Sequence, residues 1–197
     1  MAFQHLFSYY GPTNLVLGPG SIHEIPGMIS EQNLRKPLIV TDAGLVKAGL
    51  VARITDILGD ADVAYSMYDG VEANPPIRNV NECVELYTSN SCDHLIAVGG
   101  GSSMDVAKAT GVLVKNGGEI ADYFIGAGTV REKIPYLLCV PTTYGTASEV
   151  TPFAVITDDD KFKAAVGGPL IIPDAGVLDP DMAVALPLPI AAATGMD

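Results

Sequence analysis

His94-Leu95-Ile96-Ala97-Val98-Gly99-Gly100-Gly101-Ser102-Ser103-Met104-Asp105-Val106-Ala107-Lys108 runs a strand-length apolar stretch into three glycines and then into a helical pattern. The apolar residues are continuous rather than alternating, which marks a strand buried on both faces. Three consecutive glycines leave no Cβ between the backbone amides and an approaching anion, and they let the chain turn tightly. Ser102 is expected to cap the helix, with Asp105 three residues on reaching back as an acidic capping box. The free N–H groups and the positive dipole end then point at whatever sits above the glycines. The turn is not the usual dinucleotide fingerprint, because Met104 stands where the third glycine would fall, and it is not a P-loop, because no Gly-Lys-Ser/Thr follows. A glycine-rich strand-to-helix turn also serves where close packing is the only requirement, and this stretch alone leaves both readings open.

Outward from it, similar apolar runs recur, each closed by Gly, Pro, Asn or Asp: Pro37 to Thr41, Tyr136 to Val140 and Ala154 to Thr157. Between them lie stretches of helical spacing, Val46 to Leu58 and Ile77 to Asn90, the latter with Val80, Val84 and Tyr87 on one side. Strands alternating with helices predict an α/β fold, Rossmann-like, with a mainly parallel sheet and flanking helices. Phe7 to Ile22, punctuated by Gly11-Pro12 and Gly18-Pro19-Gly20, reads as an N-terminal β-hairpin. The Pro- and Ala-rich stretch from Pro173 suggests a domain over residues 1–185 and the start of a second at 186–197.

Two further loops carry polar chemistry. After the strand ending at Val140 comes Pro141-Thr142-Thr143-Tyr144-Gly145-Thr146-Ala147-Ser148-Glu149-Val150-Thr151, whose five threonine and serine hydroxyls suit a ribose or phosphate, or simply a solvated turn. Asp42 ends the first core strand, where an acid binds ribose hydroxyls and repels a 2′-phosphate; a helix cap is an equally good local reading.

The chain has 197 residues and 48% hydrophobic residues, enough for a sizeable core. Its net charge of −12 argues against nucleic acid or an anionic membrane as partner. No apolar run approaches the roughly 20 residues of a membrane span, and the N-terminus lacks a secretory signal, so the expected compartment is the cytoplasm. Cys83, Cys92 and Cys139 form no CxxC pair and read as reduced, buried thiols.

The three loops, in this order, resemble the iron-containing (group III) alcohol dehydrogenases. The likeness lies in Gly-Gly-Gly-Ser-x-x-Asp-x-Ala-Lys at 99–108, Pro-Thr-Thr-x-Gly-Thr-x-Ser-Glu-Val-Thr at 141–151, Asp179-Pro180 and the terminal Ala-Ala-Thr-Gly-Met-Asp at 192–197, and it covers essentially the whole chain. The resemblance implies an NAD-binding α/β domain followed in the family by an all-helical metal-binding domain, here expected to be absent beyond its first residues. It implies that Gly99, Gly100, Gly101 and Ser102 hold the pyrophosphate and that Asp42 favours NAD over NADP. By the same resemblance Asn74 approaches the cofactor, Thr142, Thr143 and Thr146 flank the nucleotide, Lys163 lies near the nicotinamide, and Asp197 is the first of four metal ligands.

The chain departs from the family at Tyr144 and Ala147, where small residues, usually Ala and Gly, are expected. The other metal ligands in the family are histidines beyond Asp197, whereas the histidines here are His5, His23 and His94, expected at the surface or in packing. Fe2+ or Zn2+ is therefore not expected to bind tightly, and the chain is expected to bind nucleotide with little catalysis. The implied reaction is transfer of hydride between a small alcohol or aldehyde and NAD. Glycerol dehydrogenases, dehydroquinate synthases and a non-catalytic nucleotide-binding module remain alternatives. An apolar face around Leu170 to Leu188 is expected to be exposed and to favour self-association, and a homodimer through Phe7 to Leu17 is also expected.

Overall fold

The computed structural model describes residues 11–184 with 191, 192 and 194. Its strands are β1 (Asn14–Leu17), β2 (Pro37–Val40), β3 (Ser66–Tyr68), β4 (His94–Gly99), β5 (Leu137–Pro141), β6 (Phe153–Thr157), β7 (Lys163–Gly167) and β8 (Ala175–Leu178). The helices are α1 (Ile25–Glu31), α2 (Ala43–Lys47), α3 (Leu50–Asp60), α4 (Ile77–Ser89), α5 (Gly101–Asn116) and α6 (Pro180–Ala183). Six strands form one sheet in the order β1-β8-β5-β4-β2-β3, every pair parallel.

The pleat divides the continuous apolar runs between two cores. Leu38, Val40, Leu95, Ala97, Leu137 and Cys139 face Val80, Cys83, Met104 and Val112 of α4 and α5. Ile39, Ile96, Val98, Leu138, Val140 and Val177 face Ile25, Ile29, Val51, Ile54 and Leu58 of α1 and α3. Burial on both faces is what removed the polar alternation from these strands.

From β2 the chain crosses to β3 at the sheet edge and returns through α4 to β4 on the other side of β2. The chain leaves β2 towards the α1/α3 face and leaves β4 towards the α4/α5 face. Neighbouring parallel strands whose connections part to opposite faces leave a crevice beyond their carboxyl ends, where α/β sheets of this kind bind ligands.

Three local expectations change, and a fourth, the hairpin, is described only in part. Ala154 to Thr157 is not a strand of the parallel sheet: β6 pairs antiparallel with β7 in a separate hairpin, with Ala154 and Ile156 buried while Phe153 and Val155 face out. The stretch Val46 to Leu58 is two helices, because Gly49 takes a left-handed φ of 75° and restarts the chain as the N-cap of α3. Of the hairpin at Phe7 to Ile22, the described arm, β1, is an edge strand parallel to β8; the other arm lies outside the described residues. The stretch from Leu170 is no exposed apolar face as far as it is described, since Ile171, Ala175, Val177, Met182 and Ala183 are buried by the sheet and only Val184 stands out. Among the described residues, exposed large apolar side chains gather on the β6–β7 hairpin and nearby, at Phe153, Val155, Phe162 and Ile125, with Leu17 on the edge strand also exposed. The division at 185/186 also lies outside the described residues. Among those residues no helix is long and apolar enough to cross a membrane.

Candidate functional site

An open cleft of about 1110 Å³ lies over the carboxyl ends of β2 and β4. Its floor is the start of α5. Gly99 has φ 151° and a Cβ there would run into Ser103 Oγ, so only glycine ends this strand without strain. Gly100 is the N-cap of α5, in an extended conformation, with no side-chain capping bond. Ser102 and Asp105 therefore do not form the expected capping box; the backbone fills the cap position and leaves the first-turn amides without a side-chain acceptor. A 16-residue helix thus presents its positive end to the cleft, bordered by Gly100, Gly101 and Ser102.

The threonine loop folds back over these glycines. Thr142 N donates to Gly99 O at 2.9 Å, and a Cβ on Gly100 would lie 3.1 Å from Thr143 Oγ1. Thr143 Oγ1 is itself buried with no hydrogen-bond partner, although Thr143 borders the cleft, as do Gly145, Thr146 and Ser148. A buried hydroxyl beside uncapped amides offers several hydrogen-bond donors to one anion. Tyr144 does not narrow this space: its side chain is half exposed and is not part of the lining. Ala147 has φ 50°, the left-handed region, which is why glycine is usual there.

The other walls come from three elements. Asp42 lines the cleft while its Oδ1 accepts from Leu45 N at 3.0 Å, so it caps α2 and faces the cleft together. Asn74, at φ 54°, lines it beside the hairpin, held by Thr157 Oγ1 donating to Asn74 O at 3.0 Å and Thr157 N donating to Pro75 O at 2.8 Å. Lys163 lines the cleft from the first residue of β7, opposite Thr157 in the hairpin register. Thr194 also borders it. Of the ten candidate nucleotide residues, Gly99 and Thr142 lie beneath the lining, and the remaining eight border one space. Asp197 lies outside the described residues.

Sequence reasoning passed over the group that locks this site. Lys108 is wholly buried in the middle of α5, and its Nζ donates to Phe153 O at 2.7 Å, Ser148 Oγ at 2.9 Å and Thr151 O at 3.0 Å. Ser148 Oγ in turn donates to Asp105 Oδ1 at 2.9 Å, and Val155 N donates to Asp105 Oδ2 at 3.1 Å. Burial pulls the Lys108 pKa down and pushes that of Asp105 up. Three close acceptors nevertheless need all three protons of an ammonium, so we read Lys108 as charged and Asp105 as its counter-ion. One helix thereby fastens both the threonine loop and the hairpin. The only sequence signal was the Asp105 to Lys108 spacing, one helical turn, within the quoted motif.

A model of the family described as iron-containing alcohol dehydrogenase matches residues 12–180. Choline dehydrogenase of Bacillus subtilis (strain 168) is 41% identical over 199 residues, covering 100% of this chain and 50% of that protein. Lactaldehyde reductase of Escherichia coli (strain K12) is 40% identical over 184 residues, covering 91% of this chain and 48% of its own length. Among solved structures, sulfoacetaldehyde reductase from Bifidobacterium kashiwanohense in complex with NAD+ superposes with a TM-score of 0.89 at 31% identity, covering 98% of this chain and 51% of that one. The chain spans about half the length of the curated relatives it matches.

Proposed function

Because the chain belongs to the iron-containing alcohol dehydrogenase family, we propose that its cleft binds NAD(H). On this reading the residues form the nucleotide side of an enzyme that moves hydride between NAD and a small alcohol or diol. The observation that carries this reading is the pairing of an uncapped α5 N-terminus at Gly100 with a buried, partnerless Thr143 Oγ1 across the same crevice. A pyrophosphate suits both: the first-turn amides donate to its oxygens, and the Thr143 hydroxyl supplies one more donor. Asp42 accepts from the adenosine ribose, Asn74 approaches the cofactor, and Lys163 borders the nicotinamide end. Bound NAD supplies the hydride acceptor at nicotinamide C4. The chain's own contribution is orientation: the buried Lys108 and Asp105 hold loop and hairpin against α5, so the walls keep their spacing when the anion arrives.

Among the described residues no three His, Cys, Asp or Glu side chains are grouped to hold a metal ion. The proposed ligand Asp197 lies outside them. A dimer that uses β1 is a further part of the proposal, supported by Leu17, which is 67% exposed on the edge strand.

Calorimetric titration of the chain with NADH, without added metal, tests the reading. Saturable binding that is lost in Gly100→Val is the expected result, with circular dichroism checking that the variant, whose new Cβ crowds Thr143, is still folded. Absence of NADH binding to the native sequence sinks it.

A further inference from the structure

We propose that Glu72 is the second of two carboxylates that exclude a 2′-phosphorylated ribose from the cleft, acting beside Asp42; the inference rests on the nucleotide reading above. Asp42 follows β2 and Glu72 follows β3, at the same side of the cleft, away from the threonine loop. The two segments are joined: Asp42 and Gly70 form an antiparallel bridge, and Val71 N donates to Thr41 O at 3.2 Å. Both acids line the cleft.

Glu72 is not a wandering surface acid. Its backbone N donates to Asn79 Oδ1 at 3.1 Å, and Asn79 Nδ2 donates back to Glu72 Oε1 at 3.2 Å. Asn79 is itself fully buried, and its Nδ2 also reaches Tyr68 OH at 3.0 Å, which donates to Glu82 Oε2 at 2.5 Å. Arg78 is the cation of this network, and it is shared between Glu72 and Glu82. Arg78 meets Glu72 and Glu82 only, and Asp42 adds a third carboxylate to the same side of the cleft, so among these described residues three negative groups stand against one positive.

Free ribose hydroxyls donate to such carboxylates, whereas a 2′-phosphate brings up to about two negative charges and no donor. One fixed carboxylate about 7 Å from that charge, in a nearly aqueous dielectric, disfavours it roughly tenfold. Asp42 already spends one oxygen on its helix cap, and Glu72 adds an independent barrier. Glu72 also keeps Arg78 from turning to the phosphate.

The test is titration of the native chain, Glu72→Gln, Asp42→Asn and the double variant with NADH and NADPH, each at low and high salt. Each single variant is expected to narrow the NADH-over-NADPH ratio about tenfold, mainly through tighter NADPH, and the double variant to narrow it further. Added salt should narrow the native ratio and leave that of the double variant nearly unchanged. A native ratio retained in Glu72→Gln but collapsed in Asp42→Asn overturns the inference and leaves the nucleotide reading standing. Equal weakening of both nucleotides by Glu72→Gln also overturns it, because that is the mark of a structural role. No binding of either nucleotide by the native chain removes the nucleotide reading and the inference with it.

Discussion

Gly99 shows how far one missing methyl group reaches. Its φ of 151° and the closeness of Ser103 leave no room for a side chain, with Ser103 Cβ only 2.9 Å from the position a Cβ would take. Gly99→Ala is expected to cost about 2–4 kcal/mol, from backbone strain and overpacking together, read as a shift in the urea midpoint. A shift under about 0.5 kcal/mol would mean that the turn relaxes freely. His94 lies at the other end of β4, wholly buried, with Nδ1 2.5 Å from Asp93 Oδ1 and Nε2 without a partner. Burial lowers its pKa, against the opposing pull of Asp93, so the folded chain resists the proton that the unfolded chain accepts near pH 6.5. Its contribution is complete above that pH and is lost as pH falls through the lower folded value, by at most about 1.4 kcal/mol per pH unit. Asp93 is held low by His94 and by the N–H groups of Lys36 and Arg35, which outweigh its own burial, so its effect falls below the ordinary carboxylate range. Denaturant midpoints at pH 7.5 and 5.5 should therefore converge in His94→Gln and diverge in the native chain.

Among the elements, α5 joins the most parts of the site, and Lys108 is its fastening. Lys108→Met leaves the carbonyls of Thr151 and Phe153 buried without their donor and Asp105 without its counter-ion. A loss of about 2–5 kcal/mol is expected, with faster amide exchange in the threonine loop and in β6. Exchange unchanged at Val155, whose N–H bonds Asp105, would refute the fastening role. None of this was legible locally, because a lysine in mid-helix reads as a solvated position and its acceptors come from 40 or more residues away. The α5 turn was legible because three glycines between an apolar run and a helix have few uses. Its cap was misread because extended backbone at Gly100 does what Ser102 was expected to do. The hairpin was misread because Phe153 and Val155 are apolar yet face outward, which hides the alternation that would have marked β6 as half exposed.

For the whole molecule, the parallel sheet was readable from three of the four apolar runs, those of β2, β4 and β5, but its edges were not, since short strands such as β3 carry too little pattern. The order β1-β8-β5-β4-β2-β3 puts β4 and β5 at the centre, covered on both faces by the two cores. Amide exchange should therefore be slowest in β4 and β5, approaching the global unfolding free energy, and fastest in β1 and β3. Protection in β1 equal to that in β4 would contradict this gradient. The pairing of β1 with β8 has a further consequence in time. Thr13 and Pro173, which clasp the end of that pair, are 160 positions apart. On a ribosome adding about 5–20 residues each second, β1 waits roughly 8–32 s for β8, its partner among the described strands, while β2 to β5 can already assemble behind it. During synthesis the first of the described strands to be made is thus sheltered only when the last of them arrives.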